Sequence, residues 1–126
     1  MELDITEFFN GARPADYSAS VMELGEHAGD ITWNRALAAA RRWNLLDTPD
    51  KQAAFRAHVR GFGAWSDAEI EGFSSVELNA LLIQLIAGDI REAGLDSGTT
   101  WEEYNASENA GRLLQGIDGR VYYDLS

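Results

Sequence analysis

The segment SSVELNALLIQLIAGDIREAG, residues 74–94, is apolar around almost its whole circumference when it is wound as a helix. At about 100° per residue, Glu77, Gln84, Gly88, Arg91 and Glu92 gather in one narrow arc, and apolar side chains fill the rest. Such a helix can show water only one stripe, so other elements must surround it. The fold this implies is mainly α, α+β at the margin: a compact bundle of about five to six short helices around a central helix over 75–93, stopped by Gly94. Asn79 and Asp89 interrupt the apolar arc. A buried amide or carboxylate is costly unless hydrogen-bonded, so each is expected to cap or bridge a neighbouring segment, with Arg112 a candidate partner for Asp89.

The stretch GFGAWSDAEIEGFSSVEL, residues 61–78, reads as two helix starts in succession. Ser66 and Glu69 have capping-box spacing, with Trp65 and Ile70 placed as a hydrophobic staple; Ser74 and Glu77, with Phe73 and Leu78, repeat the pattern. Gly72 suits a left-handed residue closing the short helix between them, and Gly61 and Gly63 form a joint after the helix before. Asp4 and Glu7, with Leu3 and Phe8, mark a first short helix that Gly11 and Pro14 would stop. Ser20 and Glu23 suggest a brief turn before Gly25. Thr32 caps a helix whose Trp33, Ala36, Leu37, Ala40 and Trp43 share one face, its alanines allowing close approach of a neighbour. Thr48 with Pro49 opens another, carrying Phe55, Val59 and Phe62 on one stripe. Thr100 and Glu103 form a further box, in a helix expected to end near Gly111.

Toward the C-terminus the period changes. In RLLQGIDGRVYYD, strand-forming residues flank Asp118-Gly119, which predicts a β-hairpin over 112–124. A two-residue turn would pair Leu114 with Tyr123 and Gly116 with Val121. At 126 residues with 45% apolar content, the chain is expected to fold as a single globular domain over 1–126.

Charge restricts function more than motifs do. Ten Lys and Arg oppose 21 Asp and Glu, a formal net charge of −11. The imbalance is uneven: residues 1–65 carry nine acids and seven bases, residues 66–126 twelve acids and three bases. A repulsive field of this kind argues against direct nucleic-acid binding and against anionic membrane surfaces. The chain has no cysteine, which removes thiolate chemistry and suits a reducing compartment. With no signal-like start and no membrane-length apolar run, a cytoplasmic location is expected.

Reactive constellations are sparse. The densest group of ligating residues is Glu23, Glu26, His27 and Asp30, but Gly25 argues against the helix that would bring them together, and His27 and His58 are the only histidines. No nucleophile elbow, phosphate-binding glycine pattern or calcium loop is present, so no metal or cofactor is expected. The leading functional expectation is therefore a non-enzymatic interaction or regulatory protein that binds a basic protein partner, with Asp67, Glu69, Glu71, Glu102 and Glu103 as contact residues. A sharper form is a DNA mimic that inhibits a DNA-binding protein. The alternative is a small-ligand binder or unrecognised enzyme with a pocket between the central helix and the hairpin, where Asn79, Asp89, His58 and Tyr123 are the polar candidates. A homo-oligomer with a structural role is the third expectation, since the aromatic content permits an apolar interface.

Overall fold

A computed structural model describes residues 2–9, 31–93, 113–115 and 120–125. Its elements run β1 (Glu2–Asp4), α1 (Thr6–Phe9), α2 (Trp33–Arg42), α3 (Pro49–Arg60), α4 (Asp67–Gly72), α5 (Ser75–Ala93), β2 (Leu113–Gln115) and β3 (Val121–Asp124). The chain is mainly helical with a C-terminal hairpin, as its apolar pattern requires. Helix α5 has the expected span, and its residues Leu78 to Ile83 are buried without interruption, followed by Ile86 and Ala87. Helix α2 packs against it most extensively. Ala36, Ala39 and Ala40 are the buried residues of α2, and their small side chains let the two backbones approach.

Local punctuation explains most boundaries. Thr32 and Thr48 each accept a hydrogen bond from the backbone N–H three residues on, and Pro49 opens α3 where a missing N–H costs nothing. Both serine boxes close in both directions. Ser66 Oγ accepts from Glu69 N–H while Glu69 accepts from Ser66 N–H, and Ser74 and Glu77 do the same. Trp65 and Phe73, the residues preceding the two caps, meet edge to face at 6.1 Å.

Four details differ from the sequence reading. The first box does not form. Residues 2–4 are a strand, and Asp4 turns the chain into α1 by accepting from the Thr6 N–H at 3.1 Å and the Thr6 hydroxyl at 2.6 Å, an Asx-type turn that leaves Glu7 out. Gly72 is not left-handed: α4 ends in an extended Phe73, and Arg56 reaches across from α3 to donate to Ile70 O and Phe73 O at 3.3 and 2.9 Å. That guanidinium serves two carbonyls at the C-terminal end of α4 and ties the end to α3. Among the described residues the positive-φ glycine is Gly63, φ 68°. Phe62 leaves its stripe, since α3 stops at Arg60 and the ring is 43% exposed.

The fourth difference is in the sheet. It has three antiparallel strands in the order β1-β3-β2, so the first strand lies against the last. Leu3 and Leu113 both pair with Tyr123, and Gln115 pairs with Val121. The expected pairing of Leu114 with Tyr123 is therefore shifted by one residue. Five residues, 116–120, separate Gln115 from Val121, an odd connection that a two-residue turn cannot supply. Along β3, Val121 and Tyr123 are buried and alternate with half-buried Tyr122 and Asp124, so one sheet face closes the core. Gly11, Pro14, Ser20, Glu23, Gly25, Thr100, Glu103, Gly111 and the Asp118-Gly119 turn lie outside the described residues.

Candidate functional site

Three polar groupings among the described residues could carry function. The first is the exposed side of α4. Asp67 and Glu71 are one turn apart, and both pair with Arg60, Asp67 at 3.4 Å and Glu71 more closely. Glu69, also exposed, closes the capping box. Phe62 stands two residues beyond Arg60 with its ring edge-on to His58, 4.9 Å between centroids. Of the five acids expected to make contacts, Asp67, Glu69 and Glu71 thus share one short helix, while Glu102 and Glu103 lie outside the described residues.

The second grouping is the set of buried polar residues. Asn79, 1% exposed, is saturated on the side facing the α2–α3 connection. Its Oδ1 accepts from Leu46 N–H at 2.8 Å, and its Nδ2 donates to Ser75 O at 2.9 Å and to Asn44 Oδ1 at 3.0 Å. Gln52 adds a bond from its amide to Leu46 O at 3.0 Å, so both backbone groups of the fully buried Leu46 end on side chains. His58 and Tyr123 come together, Tyr123 Oη lying 3.4 Å from His58 Nε2 with the rings nearly perpendicular. Phe55 flanks the same imidazole. Asp89 is half-buried on α5, and Arg112, its expected partner, lies outside the described residues. Three of the four polar candidates therefore divide between two places, His58 and Tyr123 at the sheet and Asn79 behind the connection, and Asp89 is placed with neither.

The third grouping was not foreseen. A cleft of about 220 Å³ is lined by Asp4, Glu7, Asn44, Leu45, Asp47, Lys51 and Arg120, where the β1–α1 corner meets the α2–α3 connection and the start of β3. Lys51 pairs with Asp47 at 2.7 Å, and Arg120 with Asp4 at 2.5 Å. The Lys51 hydrogen bond holds the Asp47 carboxyl below its ordinary range against a small opposing effect of desolvation, and the ammonium charge adds to it. At Asp4 desolvation is the largest single influence and pushes upward, but the hydrogen bonds from Arg120 and Thr6 and the Arg120 charge together outweigh it and lower the pKa. The Asp47–Lys51 spacing of four residues was a readable signal for one wall. The opposite wall joins residues 116 positions apart, which no local pattern reveals.

Among the described residues no three His, Cys, Asp or Glu side chains are grouped to hold a metal ion, and no helix is long and apolar enough to cross a membrane. Comparison with known protein families, with curated proteins and with solved structures finds no match to this chain.

Proposed function

We propose that this chain is a non-enzymatic interaction protein that binds a basic protein partner through α4 and the neighbouring Phe62. The observation that carries the reading is the composition of that surface. All three carboxylates of the six-residue α4 are exposed, among the described residues Asp67 and Glu71 pair with Arg60 while Glu69 closes the capping box, and they lie close in sequence to a phenylalanine exposed to 43%. In protein interfaces a buried aromatic supplies affinity and rim charges supply steering and selectivity, the roles this reading gives to Phe62 and to the carboxylates of α4. The exposed ion pairs to Arg60 are individually worth at most about 1 kcal/mol, so a partner's arginines or lysines can replace them at little cost. Mimicry of duplex DNA is the less supported form, because Arg60 sits between Asp67 and Glu71 and breaks the run of negative charge.

Affinity capture from the source cell tests the proposal, with wild type, Phe62→Ala and the double variant Asp67→Asn/Glu71→Gln compared at low and high salt. A basic protein retained by wild type, released by salt and lost with both variants is the expected result. Retention that neither the variants nor salt affects would remove α4 as the contact surface.

A further inference from the structure

We infer that residues 64–73, α4 with its two flanks, form a latched flap that opens from α3 as one unit while the core around α5 stays closed. The inference does not depend on what binds α4 and rests on how the hydrogen bonds of this region are divided. Those that shape the flap stay within it: the Ser66–Glu69 box, Ile70 N–H to Ser66 O and Phe73 N–H to Ile70 O. Its neighbours close on themselves as well. The N–H groups of Gly61, Phe62 and Gly63 return to His58, Val59 and Arg60 O and finish α3, while Ser74 and Glu77 cap α5 with no help from α4. Opening therefore leaves the end of α3 and the start of α5 satisfied.

Few ties hold the flap down. Among the described residues, the polar bonds from 64–73 to other elements come from two arginines of α3: Arg56 donates to Ile70 O and Phe73 O, and Arg60 pairs with Asp67 and Glu71. Apolar attachment is equally narrow, since Ile70 is the buried residue of α4, and Trp65 and Phe73, edge to face at 6.1 Å, are half-buried against the core. Arg56 is the latch. Its bonds are partly shielded from water and come from a charged donor, whereas the Arg60 pairs are exposed and correspondingly weak. Gly63 is the hinge on the α3 side, with φ 68° and open space where a Cβ would stand, so its backbone turns at little cost. A six-residue helix is too short to persist alone in water. Release and melting of α4 are thus one event, which brings Ile70 into solvent.

Native-state hydrogen exchange of the full chain in increasing urea tests the flap. The amides of Ile70, Glu71, Gly72 and Phe73 should share one opening free energy and one urea slope, both below those of the buried Leu82 and Ile83 of α5. Arg56→Gln should raise the α4 opening equilibrium about tenfold relative to those α5 amides, the loss of a hydrogen bond from a charged donor. Arg60→Gln, or about 0.5 M salt in wild type, should raise it no more than about fivefold, the range of an exposed ion pair. The flap is overturned if the α4 amides exchange only together with α5, if each follows its own urea-insensitive value, as fraying ends do, or if Arg56→Gln speeds α4 and α5 equally. The first two of these are read from wild type alone, so they decide the matter even where Arg56→Gln does not fold.

Discussion

Asn79 makes three hydrogen bonds from a position almost wholly removed from water, and the arrangement fails if any leucine-like side chain takes its place. In Asn79→Leu the Leu46 N–H keeps its burial and loses its acceptor, a penalty of about 1–3 kcal/mol, which should appear as a lower urea midpoint with an unchanged slope. Gln52→Ala removes one bond to the Leu46 carbonyl, whose second lone pair is less demanding, and should cost about 1 kcal/mol. Asp4 gives the pH dependence. Its carboxyl is held below the ordinary 3.8 in the folded chain, so the stability it adds is complete above that value and is lost as pH falls through the folded pKa. The difference between wild type and Asp4→Asn should be up to about 1 kcal/mol at neutral pH, discounted for an exposed pair, and should be smaller at about pH 2. Urea midpoints of the two proteins at both pH values measure it. Asn79 was legible in the sequence because it breaks an apolar arc. Arg56 was not, because a long side chain reaching across to another helix leaves no trace in local spacing.

Helix starts are written locally, and this is why Thr32, Thr48, Ser66 and Ser74 could all be read in advance. Each cap needs only a side-chain oxygen and a backbone N–H two or three residues on. Helix ends are less legible when the partner comes from elsewhere, as Arg56 does for α4. The two serine boxes look equivalent in sequence and differ in what depends on them. Ser74 starts α5, whose buried run is the core, whereas Ser66 starts a six-residue helix that buries only Ile70. Ser74→Ala should therefore lower global stability by about 1 kcal/mol. Ser66→Ala should act mainly on local opening, speeding hydrogen exchange at the α4 amides while the urea midpoint moves less. Equal loss of midpoint in both variants would mean that α4 opens only when the whole chain does. Close approach of α2 and α5 gives a further element-level outcome: Ala39→Leu, at 0% exposure, should overpack the seam and cost about 1–3 kcal/mol in thermal or urea unfolding.

At the scale of the whole molecule, the sheet fastens one end of the described chain to the other, and the same pairing builds one wall of the cleft. Ile5 N–H donates to Val121 O at 2.9 Å, and Arg120 reaches Asp4. A three-residue strand carrying a single buried leucine has no period to read, so β1 looked like the approach to a helix, and the cleft it helps form had no signal either. The hairpin was legible because its turn and strand residues are adjacent; its register was not, because that depends on how many residues the connection uses. The order β1-β3-β2 also ranks the strands. β3 is central, bonds to both neighbours and buries Val121 and Tyr123, with Leu125 just beyond, whereas β1 occupies an edge and buries Leu3. Deleting residues 1–4 should cost at least the roughly 2–5 kcal/mol of a buried leucine yet leave a cooperative urea transition followed by far-UV circular dichroism. Ending the chain before Val121 removes the strand on which both edges depend and exposes the apolar surface around Leu3, Phe8 and Phe55, so no sigmoidal transition should remain. If the shorter deletion also abolished cooperativity, the edge strand would be holding the helices together and not merely resting on them, and the fold would depend on contacts between its two ends before its central helix could be buried.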